Sequence, residues 1–194
     1  MNLTVDPRAK GLIFDMDGTL ADSMPVHFLA WEATGTKHGF LYPRETFYRN
    51  AGMPSADIVR FVNRGQGLDL DPEFVSREKE RAFLAMIDRI RPIDDVFAIV
   101  KQSFGRIPLA VGTGEYRAIA DRVIDVIGVR PYLTVIVAAD DVRRPKPDPE
   151  TFLRCAERMG VAPESCQVFE DGEPGLIAGE RAGMIVIDVR PYLR

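Results

Sequence analysis

Cysteine is scarce in this chain, with two in 194 residues, Cys155 and Cys166. Their spacing fits neither a zinc site nor a redox pair, so both read as small buried apolar side chains. Long apolar runs are lacking too. None approaches the ~20 residues that a membrane-spanning helix requires, and the opening MNLTVDPRAK holds no signal-peptide core. There is no stripe of positive charge: 25 Lys and Arg stand against 29 Asp and Glu, and the basic residues are scattered. Nucleic acid is therefore disfavoured as a partner, while local basic residues could still hold a phosphate. Repeats and low-complexity tracts are missing. The expectation is a soluble, cytoplasmic protein with neither a membrane nor a nucleic-acid partner; its oligomeric state is not readable. At 46% hydrophobic the chain can bury a core, and its length suits one domain carrying an insertion.

What is present is organised around GLIFDMDGTL, residues 11–20. Leu12, Ile13 and Phe14 read as a short strand buried on both faces, ending in Asp15 and Asp17. Extended chain repeats every two residues, so both carboxylates can face the same way. Gly18 allows a tight turn, and the Thr19 hydroxyl is expected to bond near the first aspartate. Like charges this close call for a positive partner. A divalent cation, with a phosphorylated ligand on it, is the simplest choice.

Beyond Leu20 the pattern becomes helical: Pro25 to His38, Ser55 to Asn63, and a long helix from Pro72 to Ile90 capped by Asp71, with loops at 41–43, 52–55 and 65–67. From Asp94 onward helix and strand alternate. Helices are expected over 94–104, 116–127, 149–159 and 174–182, and strands over 107–111, 134–138, 166–169 and 184–189. This predicts a parallel sheet covered by helices, with ligands at the carboxyl ends of its strands.

Four of those ends carry polar residues. Strand one ends in Asp15 and Asp17; the second runs into Gly112, Thr113 and Gly114; the third leads to Pro145-Lys146-Pro147; the fourth ends in Glu170 and Asp171. Taken singly, Thr113 reads as a helix cap, Lys146 as a solvated lysine, and Glu170 and Asp171 as acids before a helix. All of those readings would have to hold together.

The set DMDGT, Thr113, Lys146 in RPKPDPETF and VFEDGEPG resembles, along the whole chain, the four motifs of the haloacid dehalogenase superfamily. The resemblance implies an α/β fold, a Rossmann-like parallel sheet core flanked by helices, with an inserted all-helical cap domain. The core would comprise residues 1–21 and 92–194 and the cap 22–91. In that family the first strand lies between the second and the fourth. The implied roles are Asp15 as nucleophile and Asp17 as general acid and base. Thr113, the Gly114 amide and Lys146 would hold the phosphoryl group. Asp15, Asp17 through its backbone carbonyl, and Asp171 would ligate Mg2+, with Glu170 a direct or water-mediated ligand.

Asp17 sets the chain apart from the haloalkanoate-cleaving branch. The phosphonate-cleaving branch uses a cap lysine, and neither Lys37 nor Lys79 stands in a suggestive sequence setting. The nearest resemblance, to the β-phosphoglucomutase-like and fructose-1-phosphate or 6-phosphogluconate phosphatase subgroup, implies a magnesium-dependent sugar-phosphate phosphatase. A phosphomutase is the alternative within that chemistry, and a silent sugar-phosphate sensor the alternative outside it. Candidate cap contacts to the substrate are His27, Arg49 and Asn50. Two departures stand out: Gly172 where many relatives have Ser, and the variable trio Glu115, Tyr116 and Arg117 beside the phosphate site.

Overall fold

The computed structural model describes residues 3–193. The chain divides into two compact units, Met1–Asp22 with Arg91–Arg194, and Ser23–Ile90. The first holds five short strands: β1 (Gly11–Phe14), β2 (Leu109–Gly112), β3 (Val135–Val137), β4 (Cys166–Glu170) and β5 (Ile185–Asp188). They form one parallel sheet in the order β3-β2-β1-β4-β5, so β1 sits in the centre, as the family resemblance implies. Central strands covered on both faces should be largely apolar, and every residue of β1, β2 and β4 is buried, including the polar Gln167 and Glu170 of β4.

Four helices belong to this unit: α5 (Asp94–Ser103), α6 (Arg117–Val126), α7 (Glu150–Met159) and α8 (Glu173–Arg181). Against β1, β2 and β3 packs α7, while α8 lies on β4 and β5. Ile13, Ala110, Val137, Phe152, Cys155, Val168 and Ala178 share one apolar cluster in this layer. Both cysteines are buried and unbridged, and burial pushes the Cys155 thiol up to about 12, which leaves it inert. The register pairs Phe14 with Phe169 and with Val111, and the rings of Phe14 and Phe169 stack at 4.9 Å. That register fixes which strand ends stand side by side.

The second unit is helical: α1 (Met24–His38), α2 (Arg44–Arg49), α3 (Ser55–Gln66) and α4 (Pro72–Leu84). Asp71 caps α4 by accepting hydrogen bonds from the Glu73 and Phe74 amides. Trp31, Phe40, Tyr42, Phe47, Val59, Val62 and Val75 form its core. Four elements differ from the sequence expectation. The helix expected over Ser55–Asn63 continues to Gln66, so most of the loop expected at 65–67 is helical and only Gly67, in the left-handed conformation, ends it. The helix from Pro72 stops at Leu84 instead of Ile90: at Met86 the backbone leaves helical geometry, and Ile87–Arg89 form a separate 3-10 turn. The helix α2 was not anticipated, its six residues being too few to display a period. The second strand begins at Leu109, two residues late. Pro108 has no amide to donate; its carbonyl accepts the Leu12 amide.

Where the chain leaves and re-enters the sheet unit, the two passages lie side by side. Ala21 pairs antiparallel with Pro92, the Asp22 amide donates to the Arg91 carbonyl at 2.9 Å, and the Ile93 amide donates to Leu20 at 2.9 Å. Among the described residues no helix is long and apolar enough to cross a membrane.

Candidate active site

The carboxyl ends of β1, β2 and β4 lie next to one another because β1 is central. The Asp15 amide donates to the Phe169 carbonyl at 3.0 Å, which sets Asp15 beside Glu170. Lys146 arrives from the loop after β3, and its ammonium donates to Asp15 Oδ1 at 2.6 Å and to Glu170 Oε2 at 2.8 Å. Its other face is apolar, with Nζ 4.5 Å from the centroid of the Phe152 ring.

That loop is held by side chains to which the sequence reading gave no role. Glu150 accepts the amides of Arg143 and Arg144 on Oε2 and the Arg154 guanidinium on Oε1. Arg181 donates to the Pro147 carbonyl at 3.1 Å. Lys146 is thus delivered by a stitched loop whose Lys146–Pro147 peptide bond is cis.

Both oxygens of Glu170 are engaged. Its Oε1 accepts the amides of Asp171 and Gly172, and its Oε2 accepts Lys146. The backbone of α8 comes so close that a Cβ at Gly175 would lie 1.8 Å from Oε2. A second close approach occurs at Gly18, where φ is +89° and a Cβ would lie 2.3 Å from Asp171 Oδ2. The Thr19 hydroxyl, expected near Asp15, donates instead to Asp171 Oδ1 at 2.7 Å. Register explains the difference: the turn after β1 carries Thr19 toward β4, not back along its own strand.

The charges are unbalanced. Carboxylate oxygens of Asp15, Glu170 and Asp171 lie within 4.8 Å of one another, against the single ammonium of Lys146. Burial, then the Glu170 and Asp171 charges, raise the pKa of Asp15 well above the ordinary carboxylate range, although Lys146 opposes them. Asp171 is pushed up to about 6, chiefly by burial. Burial works against the Lys146 ammonium, but Asp15 and Glu170 outweigh it and hold its pKa above the usual lysine value. A divalent cation fits this donor set: hard oxygen ligands, excess negative charge, and two carboxylates whose ionised forms are penalised without it.

Thr113 is buried at the end of β2. Its amide donates to Val137 and its Oγ1 accepts the Glu115 amide at 3.0 Å, so the hydroxyl keeps its own proton for donation. Gly114 is exposed, and a Cβ there would meet nothing within 4 Å. Asp17 is half-buried in the turn, its backbone paired with Ala21.

The three substrate candidates of the helical unit do not share one environment. His27 is buried, stacked on Phe83 at 4.0 Å, with Nδ1 2.9 Å from Lys79 Nζ. Arg49 is exposed and reaches Thr46 Oγ1 at 3.3 Å, while Asn50 donates to the Tyr42 hydroxyl at 3.3 Å. Lys79, unremarkable in its sequence setting, is buried against His27, which lies 52 positions away. No local pattern carries a pairing of that kind. Glu150 and Gly175 lie inside the motifs RPKPDPETF and VFEDGEPG, yet the sequence reading gave neither a role, because their contacts depend on how the loop after β3 and the first turn of α8 fold back locally.

A family model described as haloacid dehalogenase-like hydrolase matches residues 9–183. Fructose-1-phosphate phosphatase YqaB of Escherichia coli is 43% identical over 184 residues, covering 94% of this chain and 97% of that protein. Hexitol phosphatase A of the same organism is 33% identical, over 94% of this chain and 83% of its own. Among solved structures, CbbY from Rhodobacter sphaeroides in complex with phosphate superposes with a TM-score of 0.80 at 25% identity, covering 92% of this chain and 85% of that one. The chain belongs to the haloacid dehalogenase-like hydrolases and is an enzyme of their phosphatase branch.

Proposed function

We propose that this protein hydrolyses the monoesters of sugar phosphates in a magnesium-dependent reaction, through a phosphorylated Asp15. One observation carries the reading: a buried Asp15 carboxylate at the end of the central strand, 2.6 Å from the Lys146 ammonium and clustered with Glu170 and Asp171. The phosphatase names of both curated relatives support hydrolysis over transfer to a second sugar oxygen, and both act on phosphorylated sugars or sugar alcohols by name.

Asp15 and Asp171 would hold the magnesium ion, with the Asp17 backbone carbonyl. Glu170, whose oxygens are engaged by two amides and Lys146, would act through water. When bound, the ion would screen the carboxylates from the phosphate dianion. Asp15 attacks phosphorus as the P–O bond to the sugar breaks. Asp17 donates its proton to the departing sugar oxygen, then takes one from the water that attacks the aspartyl phosphate, which regenerates Asp15 and releases inorganic phosphate. The Thr113 hydroxyl, the Gly114 amide and Lys146 hold the phosphoryl oxygens as their charge shifts. In this reading the helical unit Ser23–Ile90 is the cap, with His27, Arg49 and Asn50 as its candidate substrate contacts.

Phosphate release from fructose 1-phosphate, 6-phosphogluconate and p-nitrophenyl phosphate, with and without Mg2+, tests the proposal. Turnover that needs Mg2+ is expected. Failure to hydrolyse any small phosphate ester would overturn it, and formation of an isomeric sugar phosphate in the presence of a bisphosphate primer would replace hydrolysis with a mutase.

A further inference from the structure

At the end of β3 the chain makes a 3-10 turn, Ala139–Asp141, which the Asp141 carboxylate closes by accepting the Ala138 amide at 2.8 Å. The segment that follows β2 is fastened to this turn. The Thr113 amide donates to the Val137 carbonyl at 3.0 Å, and the Glu115 carbonyl accepts the Ala139 amide at 2.9 Å. Arg117 completes the attachment. Its amide donates to Asp140 Oδ2 at 3.1 Å, and its guanidinium donates to Asp141 Oδ2 at 2.5 Å and to the Ile136 carbonyl at 2.8 Å.

On the other side of the same carboxylate stands α7. Its Arg158 donates to Asp141 Oδ1 at 2.9 Å and to the Ile136 carbonyl at 3.2 Å. This helix also carries Phe152, whose ring seats the Lys146 ammonium, and Glu150, which accepts the amides of Arg143 and Arg144. One oxygen of Asp141 is thus tied to the segment that bears Thr113 and Gly114, and the other to the helix that steadies Lys146.

Resting on the assignment of Thr113, Gly114 and Lys146 to the phosphoryl group, we infer that Asp141 is a positioning residue of the phosphoryl site. Its oxygens are taken by two arginines and the Ala138 amide, so it acts through the groups it spaces. A hydroxyl and an amide on one arm, and an ammonium on the other, must reach oxygens of one phosphoryl group together. Donors fixed in advance need no reorganisation as charge shifts onto those oxygens, and a misplacement of about 1 Å can cost about 10²-fold in rate. Asp141 joins the two arms and sets the distance between them.

The test is calorimetric binding of inorganic phosphate to the full chain in the presence of Mg2+, alongside kcat/KM for fructose 1-phosphate and p-nitrophenyl phosphate. Asp141→Asn keeps the size of the side chain but turns an N–H2 group against one of the arginines. Phosphate affinity should fall about tenfold in this variant, and kcat/KM by at least that factor on both esters alike. Affinity for Mg2+ alone should stay as in the wild type, because Asp15 and Asp171 are untouched. Arg117→Gln should show the same pattern to a smaller extent and should add nothing in the Asp141→Asn background, since both changes cut one link. Arg130, which pairs with Asp121 and Asp125 toward the other end of α6, provides the control: Arg130→Gln should leave phosphate affinity unchanged. Phosphate affinity kept in Asp141→Asn, an equal loss in Arg130→Gln, or losses that multiply in the double variant would overturn the inference. With a wild type that turns over the esters, those outcomes leave the phosphatase reading standing. A wild type that hydrolyses neither ester overturns that reading alone, and the phosphate affinities then decide the inference; one that does not bind phosphate either overturns both. Where melting curves show Asp141→Asn to be misfolded, Arg117→Gln carries the test.

Discussion

Gly175 lies directly against Glu170: a methyl group on the glycine would stand 1.8 Å from Oε2 and 2.2 Å from Cδ of the carboxylate. The first turn of α8 thus has no room for any side chain at this position. Gly175→Ala should push Glu170 off Lys146 and cost about 1–3 kcal/mol of stability. Displacing the ammonium from Asp15 should lower kcat by about 10²-fold. Gly179→Ala serves as the control. Its Cβ would press on a methyl of Val186 at 2.7 Å, away from the cluster, so stability should fall while kcat per folded molecule is kept. Equal kcat in the two variants would contradict the role given to Gly175.

Asp17→Asn should lose about 10²–10⁴-fold in turnover while binding of Mg2+ and inorganic phosphate is largely kept, because its proposed metal contact is through the backbone. Isothermal titration of Mg2+ into the variant checks this. Loss of metal binding would reassign Asp17 as a side-chain ligand.

Stability of the metal-free protein should carry the signature of Asp171. Burial pushes its pKa up to about 6, so the folded state binds this proton more tightly than the unfolded chain does. The contribution therefore falls as pH rises from the ordinary carboxylate range through about 6, then levels off. Asp141 runs the other way. Burial opposes, but Arg158, the Ala138 amide and Arg117 hold it down at about 2, so its contribution persists above the ordinary range and is lost only as pH falls through about 2. Melting curves of wild type and Asp171→Asn, compared from about pH 5 to about pH 7, isolate the first effect. The gap should shift in favour of the variant as pH rises, and parallel curves would contradict it.

Chelation should stop phosphate release and Mg2+ should restore it. The ion should also raise the melting temperature of the wild type by binding only the folded site. In Asp171→Ala the thermal shift should largely vanish. A shift retained in full would place the ion elsewhere.

Glu150→Ala should free the loop that carries Lys146, since the Arg143 and Arg144 amides and Arg154 all lose their acceptor. A fall in kcat larger than the loss of stability implies is expected. Partial rescue in Glu150→Gln, which keeps an acceptor oxygen, would distinguish loop positioning from general destabilisation.

The sequence carried the parts of this site that local chemistry can encode. Apolar runs that end in Asp15, Thr113 and Glu170 mark strand ends, and a parallel sheet gathers such ends on one side. It did not carry the contacts that depend on register between distant strands. The Thr19 hydroxyl was expected near Asp15 and binds Asp171. Gly175 is a local case: it stands five residues beyond Glu170, and only the turn from β4 into α8 brings it against that carboxylate. In the helical unit, Met86, Ile87 and Ile90 continue the apolar period of α4, so the break after Leu84 leaves no mark on the pattern. The His27–Lys79 pair joins two helices across 52 positions and was invisible for that reason.

The adjacent passages at Ala21 and Pro92 have a consequence for evolution. The two ends are held as hydrogen-bonded neighbours, and the closure entropy of an insertion between them grows only slowly with its length. The sheet's strands take none of their residues from Ser23–Ile90, so lengthening, shortening or replacing that segment should leave Asp15 in register with Glu170. A library of helical inserts grafted between Asp22 and Arg91 should therefore keep the hydrolytic apparatus constant while the accepted alcohol changes from one graft to the next.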